Sequence, residues 1–181
     1  GASGAEPGTS PHELTDAGEV YVVFGSGSAF PAAIDLSTLN GTNGFRIPGL
    51  ASNDRLGTSV ASAGDVKNDG IGDVILGAPG LTSGSNVLGG GYVVYGRSTA
   101  FSATLDLTTL TGLNGFAVTT ATTGDELGIS VDGAGDLNGD GFDDLILGAT
   151  QSTEVGGDDS GQVYGIFGKA TTFGTSVDVS A

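Results

Sequence analysis

Two nine-residue segments recur 71 residues apart: Asp65-Val66-Lys67-Asn68-Asp69-Gly70-Ile71-Gly72-Asp73 and Asp136-Leu137-Asn138-Gly139-Asp140-Gly141-Phe142-Asp143-Asp144. Their flanks recur with them. Leu56-Gly57-Thr58-Ser59-Val60 precedes the first and Leu127-Gly128-Ile129-Ser130-Val131 the second, while Val74-Ile75-Leu76-Gly77-Ala78-Pro79 and Leu145-Ile146-Leu147-Gly148-Ala149-Thr150 follow them. The same 71 residues separate Gly25 from Gly96, and 72 separate Gly96 from Gly168. A chain with such a period is an array of equivalent units that bury their apolar faces against one another.

Within each unit the apolar runs are short: Val60-Ala61-Ser62-Ala63, Val74-Ile75-Leu76, Tyr92-Val93-Val94-Tyr95 and Phe116-Ala117-Val118. Gly, Asn, Asp or Ser bounds each of them, and no stretch sustains a helical period. The runs Val74–Leu76 and Leu145–Leu147 lack polar alternation, which predicts strands covered on both faces. Asn43-Gly44 and Asn114-Gly115 are equivalent turns, at which Asn and Gly are expected to accept positive φ. Four short strands per unit, with unit packed on unit, is the logic of a β-propeller.

Phe24-Gly25, Gly77-Ala78-Pro79, Tyr95-Gly96, Gly148-Ala149-Thr150 and Phe167-Gly168 together resemble the FG-GAP repeats of integrin α-chain propellers and of large bacterial surface proteins. That resemblance implies an all-β fold of four-stranded antiparallel blades, with cation loops where the two acidic segments lie. Thr150 replaces the family's Pro, Tyr95 its Phe, and Lys67 stands at a ligand position. The units read as 1–52 (an entry loop and the second half of a repeat), 53–123 (a complete repeat) and 124–181 (most of another). At this period 181 residues hold about two and a half units, whereas closed propellers take about 4–8 blades. The expectation is an incomplete propeller. Gly1-Ala2-Ser3 resembles Gly77-Ala78-Pro79, as if the chain were a piece of a longer protein starting inside a repeat.

Calcium takes six to eight oxygens in a flexible geometry. In the second loop the expected ligands are Asp136, Asn138, Asp140 and Asp144, with the backbone carbonyl of Phe142; Gly141 allows the sharp turn. The first loop offers Asp65, Asp69, Asp73 and the Ile71 carbonyl, but Lys67 has no acceptor atom, so the second of the two calcium sites is expected to be the stronger. Asp143, between ligand positions, is expected to face solvent. An EF-hand is excluded, because the twelfth position is Leu76 or Leu147 rather than Glu and strands flank the loops.

Twenty-one acidic and five basic residues give a formal charge of −16, which sets the chain against nucleic-acid partners. No Cys is present, so there is neither a disulfide framework nor a thiolate site. His12, the sole histidine, and the Asp158-Asp159 pair are read as solvated, and no assembled set of acid, base and nucleophile is found. The expected function is a non-enzymatic, calcium-binding structural or adhesion module of a secreted or cell-surface protein, presenting propeller loops to a protein or glycan. No membrane insertion is expected, and the expected partners are further blades or other chains, including copies of this one. Two alternatives stand beside it: a self-assembling extracellular ring or filament subunit, and an accessory domain of a larger secreted hydrolase.

Overall fold

The structure, a computed structural model, describes residues 1–2, 14–83, 86–120, 122–150 and 160–180, the side chains of 83, 86 and 87 excepted. It is all-β. In chain order the strands are β1 (Glu19–Val23), β2 (Gly44–Pro48), β3 (Ser59–Gly64), β4 (Asp73–Gly77), β5 (Thr82–Ser83), β6 (Asn86–Val87), β7 (Gly90–Val94), β8 (Gly115–Thr119), β9 (Ser130–Gly135), β10 (Asp144–Ala149), β11 (Gln162–Ile166) and β12 (Ser176–Asp178). Single 3-10 turns at Leu36–Thr38 and Leu107–Thr109 begin at Asp35 and Asp106, whose carboxylates accept the N–H of Ser37 and Thr108.

The repeat is visible in the pairing. β3, β4, β7 and β8 form an antiparallel meander, with Ile75 opposite Val93 and Val93 opposite Phe116. One period on, β9, β10 and β11 repeat the first three strands of that order, and β1 with β2 is the counterpart of β7 with β8. Ala2 bridges Glu19 with hydrogen bonds in both directions, as the Ala78 N–H reaches the Gly90 carbonyl one unit later. The resemblance of Gly1-Ala2 to Gly77-Ala78 is thus also a likeness of position. The meander carries a fifth strand: β12 lies parallel to β8, and the isolated bridge of Thr104 to Arg46 places the preceding unit's equivalent segment beside β2. Each unit therefore reaches back to the outer strand of the unit before it.

Side chains alternate across a strand, and this splits the core in two around the central sheet. Ile75, Val93, Phe116 and Val118 pack with Leu127, Leu145, Leu147 and Ile166 on one side. Leu76, Tyr92 and Val94 pack with Val20, Phe45, Ile47 and Leu56 on the other. The expected two-sided burial holds for Ile75 and Leu76 of β4, whereas Ile146 of β10 is half-buried in a shallow groove with Val131 and Val163. An aromatic stack joins the units in each case: Phe101 lies on Phe45 at 4.2 Å, and Phe173 lies on Phe116 at 4.3 Å.

The Asn-Gly turns differ from expectation. Only the glycines take positive φ, 145° at Gly44 and 142° at Gly115. Asn43 and Asn114 instead hold the turn with their amides, accepting from the N–H of Asn40 and Thr111 and donating to the carbonyls of Thr38 and Thr109. A Cβ on Gly115 would lie 2.2 Å from the Val93 carbonyl oxygen, so the outer strand approaches through glycine alone. Phe116 is fully buried and Leu113 is 71% exposed. Phe116→Ala should therefore cost about 3–5 kcal/mol in urea unfolding, while Leu113→Ala should stay within about 0.5 kcal/mol.

Candidate metal centre

Each acidic segment is a loop between two paired strands: the first joins β3 to β4, the second β9 to β10. A β-bulge precedes each closing aspartate. Gly64 stands opposite Asp73 while Ser62 pairs Val74, and Gly135 stands opposite Asp144 while Gly133 pairs Leu145. The residue skipped in the pairing is Ala63 or Ala134, and the glycine after it lies in the left-handed region, with φ of 73° at Gly64 and 66° at Gly135.

The opening aspartates organise the loops. In the second loop Asp136 Oδ1 accepts the N–H groups of Gly139 (2.7 Å) and Asp140 (3.0 Å), and its Oδ2 that of Gly141 (2.8 Å). Asn138 Oδ1 accepts the N–H of Asp140 at 2.9 Å, and Asp140 Oδ1 that of Phe142 at 3.0 Å. The Gly141 N–H foremost holds the Asp136 carboxyl below the usual carboxylate range. In the first loop Asp65 accepts the N–H groups of Asp69 (2.9 Å) and Gly70 (2.6 Å), and Asp69 accepts that of Ile71 (3.0 Å).

Lys67 does not turn away. Its ammonium sits on Asp69 Oδ2 at 2.5 Å and 4.6 Å above the Tyr95 ring. The hydrogen bond from Lys67 lowers the Asp69 pKa. A side-chain cation thus stands where the second loop has Asn138, whose amide nitrogen contacts Asp140 Oδ2 at 2.9 Å.

The closing aspartates have a second task that sequence did not show. Asp73 and Asp144 are 2% and 0% exposed. Asp73 accepts the N–H of Val66 (3.0 Å) and of Gly96 (2.8 Å), one with each oxygen. Asp144 does the same with Leu137 (2.8 Å) and Gly168 (2.9 Å). Each ties its loop to the glycine that follows the aromatic residue, Tyr95 or Phe167. Their near-equal spacing from Gly96 and Gly168, 23 and 24 residues, was the available signal. Asp143, expected in solvent, is half-buried, and its Oδ2 accepts the Asp65 N–H at 2.7 Å. The neighbouring loop packs onto it because Gly64 has no side chain to occupy that space.

The donor set of the second loop fits a hard cation: all its side-chain candidates carry oxygen, and carboxylate oxygens engaged by one N–H keep a further lone pair. The first loop fits less well, since Lys67 already supplies positive charge to Asp69. Among the described residues no three acidic groups form a ready-made cage, and the carboxylates are met by backbone N–H groups instead. His12 and Asp158-Asp159 lie outside the described residues. Two cationic residues also find a shared place: Arg97 lies 4.0 Å over Phe101 and Lys169 4.2 Å over Phe173, 72 residues apart.

Residues 127–166, spanning β9 to β11 and the second loop, match the FG-GAP repeat family. This segment is an FG-GAP repeat. Repeats of this family are units of β-propeller modules and are typically extracellular, and the segment from β3 to β7 has the same strand order and loop one period earlier. No curated protein matches the chain at a significant level. Among the described residues no helix is long and apolar enough to cross a membrane.

Burial, the largest influence, pushes the Asp73 carboxyl up to about 6. Its folded pKa thus exceeds the unfolded value of about 3.8, so this group's contribution to stability is full below about pH 3.8 and is lost as pH rises through about 6. Carbon-detected NMR titration in EDTA should show Asp73 titrating near pH 6 and Asp136 below the ordinary aspartate range. Replacing Asp144 by Ala removes the acceptor of the Leu137 and Gly168 N–H groups, the second in a buried bond whose loss costs about 1–3 kcal/mol, and should lower the urea midpoint more than Asp140→Ala, which removes an exposed group.

Proposed function

We propose that this chain is a calcium-stabilised β-propeller module of an extracellular or cell-surface protein, with no catalytic role of its own, that presents its loops to a protein or glycan. The observation that carries this reading is the FG-GAP repeat at 127–166 with its acidic loop, Asp136 to Asp144, built from oxygen donors alone. Asp136, Asn138, Asp140 and Asp144 would hold the ion with the Phe142 carbonyl. Asp65, Asp69, Asp73 and the Ile71 carbonyl would form the weaker site. Bound calcium supplies charge neutralisation, which matters for a chain of formal charge −16. The chain's own residues pre-shape the turn through the Asx contacts of Asp136, Asn138 and Asp140.

Partner chains or further blades are supported by Phe30. It occupies the position of Phe101 and Phe173, 71 and 143 residues before them, yet is 52% exposed where they are stacked on Phe45 and Phe116. A ring supplied by another blade or another copy would complete the same stack.

Calorimetric titration with calcium chloride tests the reading. A tighter event that disappears in Asp140→Ala is expected, together with a higher melting temperature in calcium than in EDTA. Binding to the native state alone adds about 2.7 kcal/mol at a hundredfold excess over Kd. Lys67→Asn, which gives the first loop the second loop's donor, should tighten the weaker event. Absence of heat and an unchanged midpoint in EDTA would overturn the calcium reading.

A further inference from the structure

We propose that Asp143 couples the two acidic loops, so that the state of the second loop sets the geometry of the first. This inference rests on the calcium reading above and adds to it a link between the sites.

The geometry is specific to this pair of loops. Asp143 and Asp144 are adjacent on the chain and serve different loops. Asp144 closes its own loop through the Leu137 N–H, while Asp143 Oδ2 accepts the N–H of Asp65, the opening residue of the other. The Asp143 N–H returns a bond to the Asp65 carbonyl at 3.3 Å, and the Lys169 N–H reaches the Val66 carbonyl at 3.2 Å. Asp65 is thereby held at its backbone by one loop while its carboxylate shapes the other. The seat is fitted to Asp143: a Cβ on Gly64 would lie 2.6 Å from the Asp143 Cβ, whereas a Cβ on the equivalent Gly135 would meet nothing within 4 Å. One unit earlier the position of Asp143 is Gly72, which has no carboxylate to offer.

Any ion that fixes Asp144 and the Phe142 carbonyl also fixes the residue between them. Asp143 cannot shift without moving the Asp65 N–H, and through it the ligand that opens the first loop. Coupling of this kind is reciprocal. Asp143 is a positioning residue, since it acts on the first loop through Asp65.

The test uses amide NMR on the whole chain. In EDTA, hydrogen exchange at the Asp65 amide should be slow in the parent, fast in Asp143→Ala and slow again in Asp143→Asn, which keeps an acceptor oxygen. Calcium chloride is then titrated into Asp69→Ala, whose first loop has lost a ligand. The amides of Asp65 and Gly70 should move with the same midpoint as those of Gly139 and Gly141. In Asp69→Ala with Asp143→Ala the second-loop amides should still move and Asp65 should not. With both loops intact, Asp143→Ala should weaken first-loop binding by about fivefold or more. Second-loop shifts that leave Asp65 unmoved, or that move it equally without Asp143, overturn the coupling alone. Shifts in neither loop overturn the calcium reading and the coupling with it.

Discussion

A buried carboxylate at the end of each loop holds the repeat together. Asp73 and Asp144 lie where water cannot reach them, and an uncompensated charge there would be costly. Each is compensated by two backbone N–H groups, one from its own loop and one from the glycine after the third strand. That geometry explains the glycines. A Cβ at Gly96 would come within 2.3 Å of the Gly72 carbonyl oxygen, and one at Gly168 within 2.5 Å of that of Asp143. The aromatic-glycine pair is therefore the donor half of a clamp whose acceptor is the ninth residue of the loop. Loop, second strand and third strand are fixed by the same two carboxylate oxygens.

Outside the clamp, the units adhere through the two apolar cores and, at the outer strand, through a layered contact. A phenylalanine of the outer strand (Phe45 or Phe116) is stacked by a phenylalanine of the next unit (Phe101 or Phe173), and that ring is covered by a cation (Arg97 or Lys169). The stack places the segment after it beside the previous outer strand, which is why β12 extends the central sheet in parallel although the meander is antiparallel. Arg55 and Glu126, at equivalent positions in successive units, face each other at 3.4 Å. A half-buried pair of this kind adds little stability, but opposite signs at one repeat position suit units stacked in one direction.

Strand existence and the equivalence of the loops were legible, because period and apolar runs depend on local sequence. Val74–Leu76, Tyr92–Val94 and Phe116–Val118 all fall within observed strands. The roles of the acids were less legible. Asp73, Asp143 and Asp144 are alike in sequence, and what separates them is which backbone donor each meets across the fold, from residues up to 78 positions away. The side of Lys67 was equally non-local: its ammonium meets Asp69 and the face of Tyr95, which lies just after β7. At Asn43 and Asn114 the sequence marks the turn but not the atoms that hold it, since a side-chain amide can satisfy the backbone without a positive φ.

The difference between the loops is a difference in where their positive charge comes from. With Lys67 the first loop carries its own counter-ion, a tethered ammonium on Asp69 that is always present and cannot be diluted away. With Asn138 the second loop has a polar but uncharged neighbour for Asp140, so its acids are met by backbone N–H groups and one side-chain amide. Backbone dipoles stabilise one carboxylate well, as the depressed Asp136 shows, but they do little against repulsion among several. If the loops take up a cation as proposed, the dependence on it would be concentrated in the second loop, which lacks a tethered ammonium. Asp143 of this loop rests against the backbone of the first, where its carboxylate accepts the Asp65 N–H.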